Sequence, residues 1–230
     1  MQKKGNTLIV LLLIVISFFA GYLFFKVKSL EQGKALGTTE QAQPTPQITV
    51  KKPSTAEHWN GVKNARFVWI EYADLQCPYC KQIHPDLVKL LNVNSGKLAW
   101  VFRHFPLPLH EKAQKGAEVT ECAADQGGND AFWKSLEVVF EKLPETELSD
   151  LPGLASEIGV DEAKLKACLD SGKFEKKVKD QLAEGTQAGV QGTPHGIIYD
   201  LKTGKNIPVS GALPYESLQK ELDTFISQNK

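Results

Sequence analysis

The stretch that most limits what this chain can fold into is 67–91, FVWIEYADLQCPYCKQIHPDLVKLL, an apolar run that leads through a turn into a cysteine pair. Phe67, Val68, Trp69 and Ile70 are aromatic or β-branched and predict a buried strand, and a helical pattern begins at the cysteines. Pro78 suits the first helical turn, where its missing N–H has no intrahelical partner, so Cys77 falls at the N-cap. Its sulfur then faces the free amides of Tyr79 and Cys80 and the positive end of the helix dipole, both of which favour thiolate over thiol. Such surroundings bring a cysteine from about 8.5 to roughly 3.5–7.5. A drop of about three units stabilises the reduced thiolate by about 4 kcal/mol and makes the disulfide a better oxidant. Cys80, one turn further on, is expected to sit deeper and to resolve mixed disulfides.

A C-x-x-C has two other uses. Half a zinc site needs a second close pair, and Cys122 and Cys168 are isolated. A structural disulfide within four residues is geometrically constrained and leaves the strand-before, helix-after setting unexplained. Redox chemistry is favoured, with no metal and no cofactor expected.

At the start of the chain, Lys3 and Lys4 precede 18 residues without a charge, Leu8 to Phe25. At about 1.5 Å per residue that run reaches roughly 27 Å, close to the hydrocarbon thickness of a bilayer. Cleavable signals have shorter apolar cores and a small-residue cleavage site, so residues 1–28 are expected to form an uncleaved membrane anchor with the N-terminus inside, a cleaved signal being the alternative. Residues 29–55 are poor in large apolar side chains and rich in Gln, Thr, Pro and Lys, which predicts a flexible linker, with a short strand at Ile48-Thr49-Val50. Residues 56–228 are enough for one domain with a proper core. Lys+Arg and Asp+Glu both number 27, and nothing points to nucleic acid.

Within that domain, Lys97–Phe105 predicts a second strand, parallel to the first because a helix links them. Helical patterns follow at 110–126, 131–143, 151–158, 161–170 and 174–189, broken by Gly127-Gly128-Asn129, Pro144, Gly159 and Ser171-Gly172; Asp161 and Asn129 are expected to start helices. Pro85 is expected to kink the first helix. Strand character returns at Gly196–Tyr199 and Ile207–Val209 around a Thr203-Gly204 turn, and an amphipathic helix closes the domain with Leu218, Leu222 and Phe225 on one face. The expected fold class is α/β, a small sheet with a helical insertion at about 108–189.

Val68 to Cys80 (VWIEYADLQCPYC), Phe102-Arg103-His104-Phe105-Pro106-Leu107, Glu121-Cys122-Ala123-Ala124 and Gly192-Thr193-Pro194 occur in an order that resembles the DsbA-like thiol:disulfide oxidoreductases, the membrane-tethered DsbA/BdbD-type branch above all. The likeness covers about 57–227 and implies a thioredoxin-like fold. It implies that Thr193-Pro194 is a cis-proline loop facing the cysteines, whose backbone pairs with substrate. His195 departs from the small or apolar residue expected there; beside Cys77 it would add cationic stabilisation, or it points away. Glu71, six residues before Cys77, matches a buried acid beneath the resolving cysteine that exchanges Cys80's proton; a solvent-facing position at the strand end is the other reading. Its partner would be Arg103 or His104. Pro78 and Tyr79, between the cysteines, bear on substrate binding and on the redox potential, and Lys81 and His84 stand near the site or on the exposed helix face. In an oxidising compartment Cys122 and Cys168 are expected to form a structural disulfide closing a loop of 46 residues, about 4 kcal/mol in the chain-entropy picture.

The function expected from this reading is oxidation of reduced exported proteins outside the cytoplasmic membrane by a tethered monomer, with a quinone-linked membrane partner restoring the disulfide. A tethered reductase or isomerase and a non-enzymatic holdase are the alternatives.

Overall fold

The computed structural model describes residues 49–229 and the isolated positions Tyr22, Lys26 and Lys28. The expected anchor and most of the expected linker lie outside the described residues, among which no helix is long and apolar enough to cross a membrane. In chain order the elements are β1 (Trp59–Gly61), β2 (Phe67–Ala73), α1 (Pro78–Val93), β3 (Leu98–His104), α2 (Ala113–Lys142), a 3₁₀ turn (Leu148–Leu154), α3 (Ala155–Ile158), α4 (Glu162–Ser171), α5 (Glu175–Gln187), β4 (His195–Asp200), β5 (Asn206–Ser210) and α6 (Tyr215–Gln228).

The strands form one sheet in the order β1-β3-β2-β4-β5. β2 runs parallel to β3 with Phe67 opposite Leu98 and Ala73 opposite His104, as a helical connection requires. β4 lies antiparallel to β2, β5 antiparallel to β4, and β1 antiparallel to β3 at the edge. β1, only three residues long, has too little periodicity to be read from sequence. Every residue of β2 is buried, because the strand is central and covered on both faces. Trp69 and Ala73 pack with residues of α1, α2 and α6, while Val68, Ile70 and Tyr72 pack on the opposite face with Ile197, Tyr199 and Val190. Each such large apolar side chain contributes about 1.5–3 kcal/mol by burial. Trp69 also dictates a glycine on β4: a Cβ at position 196 would lie 2.1 Å from its ring.

The helices between β3 and β4 follow the sequence's punctuation. α2 bends at Gly128, whose φ of 67° and ψ of −154° are not helical, so the Gly127-Gly128-Asn129 break is real although the helix resumes. Asp161 caps α4 by accepting the Lys164 N–H at 2.8 Å. Asn129 does not act as a cap; its amide donates to the Trp59 carbonyl at 2.7 Å and ties α2 to β1. Pro85 lies inside α1, which continues from Pro78 to Val93. Cys122 in α2 and Cys168 in α4 are joined by a disulfide with a Cα–Cα distance of 5.9 Å.

The folded region starts earlier than the composition of the linker suggests. Val50 and Pro53 are buried, and the Lys51 carbonyl accepts a hydrogen bond from Arg103 Nη2 at 2.9 Å. Thr49 and Val50 are not in a strand; Val50 is buried as a side chain on the sheet rather than as part of it.

Candidate active site

α1 starts at Pro78 and Cys77 is its N-cap, with an extended backbone at φ −74° and ψ 121°. Its carbonyl already accepts the Cys80 and Lys81 N–H groups, at 3.1 and 3.2 Å. Both cysteines are free thiols, and Cys77 is 4% exposed and Cys80 fully buried. The Cys77 S–H points to the Thr193 carbonyl at 3.6 Å, and the Thr193–Pro194 bond is cis, so the loop before β4 stands against the cysteine.

The two sulfurs are driven apart in acidity. Hydrogen bonding from the Cys80 thiol, helped by the backbone N–H groups of Cys80 and Tyr79 and by Thr193, lowers Cys77 from 9.0 to about 5 against the opposing effect of burial. Burial pushes Cys80 well up, and the hydrogen bond it gives Cys77 and the charge of Glu71 add to that. Cys77 is thus ionised at neutral pH and Cys80 is not.

Glu71 is 1% exposed and faces Phe102 on β3 and Gly196 on β4. Neither carboxyl oxygen makes a hydrogen bond to the protein. Burial pushes its pKa up to about 8, with the Trp100 indole N–H opposing that without reaching hydrogen-bond geometry. Of the partners expected for it, Arg103 stands opposite Tyr72 in the register and therefore projects to the other face of the sheet, where it meets the Tyr72 hydroxyl (2.8 Å), Glu184 (2.9 Å) and Glu57 (3.0 Å). His104 is taken by Glu121 at 3.3 Å. Glu71 is paired with neither.

His195 does not bring a cation to Cys77. Its Nδ1 lies 2.9 Å from Ser210 Oγ on β5, and burial lowers its pKa, which keeps the ring neutral at pH 7. It still lines, with Gly192, Thr193 and Pro194, a groove beside the cis-proline loop. Tyr79 is 61% exposed at the helix start, beside the exposed Pro78. Lys81 pairs with Glu141 at 2.7 Å on the surface, a contact worth little. His84 is held low, at about 4, by burial and packs against Trp100 and Phe140, each with ring centroids 5.3 Å away.

Two features went unread in the sequence. Asp74 is buried and ties the turn before Cys77 to the loop after β3, accepting from Gln76 N (2.7 Å) and Leu107 N (2.7 Å) and bonding His110 Nδ1 (2.8 Å). The x-D-x-x-C spacing is a faint signal for such a turn. His104 and His110, five residues apart in between, have a spacing that also suits zinc, but they bond Glu121 and Asp74 respectively. Cys122 and Cys168, being disulfide-bonded, offer no thiolate to a metal. Among the described residues no group of three or more His, Cys, Asp or Glu is placed to hold a metal ion.

Residues 53–224 match the family model described as thioredoxin. The chain belongs to the thioredoxin family. Within it the fold is DsbA-like. DsbA2 of Pseudomonas aeruginosa is 27% identical and superimposes with a TM-score of 0.64 over 76% of this chain and 97% of that one. BdbD of Bacillus subtilis, in its oxidised form, superimposes with a TM-score of 0.63 at 21% identity, over 78% of this chain and 98% of that one, a likeness of fold. The Na(+)/H(+) antiporter NhaA of Herminiimonas arsenicoxydans is 31% identical over 193 residues, 83% of this chain but 29% of the antiporter. The chain thus spans under a third of the length of the curated relatives it matches.

Proposed function

We propose that this DsbA-like thioredoxin oxidises exported proteins by thiol–disulfide exchange at Cys77 and Cys80. The observation that carries the reading is the opposed acidity of the pair, Cys77 lowered to about 5 and Cys80 raised behind it. A stable Cys77 thiolate favours the reduced enzyme and makes its disulfide a strong acceptor of electrons. A substrate thiolate attacks Cys77 Sγ of the Cys77–Cys80 disulfide, forming a mixed disulfide and releasing Cys80 as a thiolate. Glu71, protonated at pH 7 with its pKa at about 8, is the proton donor to that leaving group. A second substrate thiolate then attacks the substrate sulfur of the mixed disulfide and expels Cys77, so the substrate loses two electrons and the enzyme pair gains them. Thr193, Pro194 and His195 line the groove in which the substrate strand is bound, and the exposed Pro78 and Tyr79 at the start of α1 contribute to substrate binding.

The uncharged run Leu8–Phe25 supports the rest of the reading, in which it tethers the monomer to the cytoplasmic membrane with the domain outside, the substrates are reduced exported proteins, and a quinone-linked membrane protein reoxidises the pair. The deciding experiment is the redox equilibrium against glutathione with Cys77 alkylation followed across pH. A potential near or above the glutathione poise and half-alkylation near pH 5 support the oxidase. Half-alkylation near pH 8.5 with a strongly reducing potential leaves a reductase, and activity retained by Cys77→Ser in cells leaves a holdase.

A further inference from the structure

We infer that Asp74 is a positioning residue for Cys77: a buried carboxylate that bolts the turn carrying the cysteine to the loop after β3 and thereby sets how well the helix start stabilises the thiolate. The inference rests on the exchange chemistry proposed above. Asp74 is 1% exposed and both of its oxygens are used. Oδ1 accepts the Gln76 N–H at 2.7 Å, closing the turn. Oδ2 accepts the Leu107 N–H at 2.7 Å and lies 2.8 Å from His110 Nδ1. The backbone carbonyl of the same residue accepts the Cys77 N–H at 3.1 Å. A second tie runs parallel, from Lys112 N–H to Gln76 Oε1 at 2.8 Å.

The geometry gives these bonds a consequence beyond holding a loop. Cys77 is an N-cap with no side-chain cap bond of its own, and how its sulfur meets the Thr193 carbonyl, the Cys80 thiol and the helix amides depends on where the backbone of residue 77 stands. That position is inherited from the turn 74–76, and the turn's position is inherited from Asp74. Hydrogen bonds that stabilise a thiolate depend steeply on angle and distance, so a small rotation of the turn weakens them. A buried carboxylate with three N–H donors around it does not rearrange, because any unsatisfied donor is costly there. The same clamp fixes the two ends of the segment that presents Leu109, 74% exposed, on the same loop.

Asp74→Asn tests this, since it keeps the size but turns one acceptor into an N–H donor among N–H donors. The full chain carrying it should show a Cys77 thiolate pKa raised by about one unit and a redox equilibrium with glutathione moved about tenfold toward the disulfide. Gln76→Ala, which leaves Asp74 in place, should give a smaller shift in the same direction. If Asp74→Asn folds and Cys77 titrates as in the parent, the inference is wrong and the clamp only stabilises the fold. If Asp74→Asn does not fold, His110→Phe decides: removing that single bond should raise the Cys77 pKa measurably, and an unchanged value overturns the inference. Because each variant is compared with the parent, this outcome is separate from the oxidase test, which the parent alone passes or fails.

Discussion

With Glu71 pushed from 4.5 up to about 8 by burial, the folded chain keeps a proton that the unfolded chain has already lost anywhere between those values. Stability from this group is therefore fully present below about pH 4.5, falls as pH rises towards about 8, and is level above. Glu71→Gln removes that dependence: the variant should match the parent in urea unfolding at pH 5 and exceed it at pH 9 by on the order of 4 kcal/mol. Catalysis should go the other way. Without a proton donor for Cys80, mixed-disulfide formation at pH 7 should slow by on the order of 10²-fold. The parent's rate should fall above pH 8 as Glu71 ionises, a fall the variant lacks; stopped-flow reaction with a reduced peptide across pH reads both.

At the level of elements, the cystine between α2 and α4 is a fastening within the insertion rather than a part of the exchange site. Cys122→Ser with Cys168→Ser should lower the unfolding free energy by about 4 kcal/mol while the Cys77 pKa stays where it is. Gly196→Ala should be worse placed than its size implies, since the new methyl meets the Trp69 ring on the central strand; a loss of about 1–3 kcal/mol in thermal or urea unfolding is expected. The strands, helices and breaks of this region were legible because they rest on local signals: the β-branched run of β2, Pro78 beside Cys77, the glycine pair in α2, the Asp161 cap. What was not legible depends on contacts between distant residues. The face of Arg103 is set by the register of β3 against β2, and its partners Glu57 and Glu184 lie 46 and 81 positions away. Asp74 and His110 are 36 apart, and β1 gains its identity only from its pairing with β3.

For the molecule as a whole, the edge of the folded region matters. A chain starting at residue 56 loses the buried Val50 and Pro53 and leaves Arg103 without the Lys51 carbonyl, so it should be less stable by about 2 kcal/mol or more than a chain starting at residue 47; paired denaturant titrations check this. The cis-proline loop has a bearing on how the molecule is made. Thr193 meets Cys77 across 116 positions of sequence, and the whole helical insertion lies between them. On a growing chain the reactive cysteine therefore emerges long before the loop that covers it. Cys77 and Cys80 come out before Cys122, and Cys122 before Cys168, so all four thiols are in the chain before the loop that covers the first pair is made. The site at Cys77 is therefore finished late, when β4 has been laid beside β2.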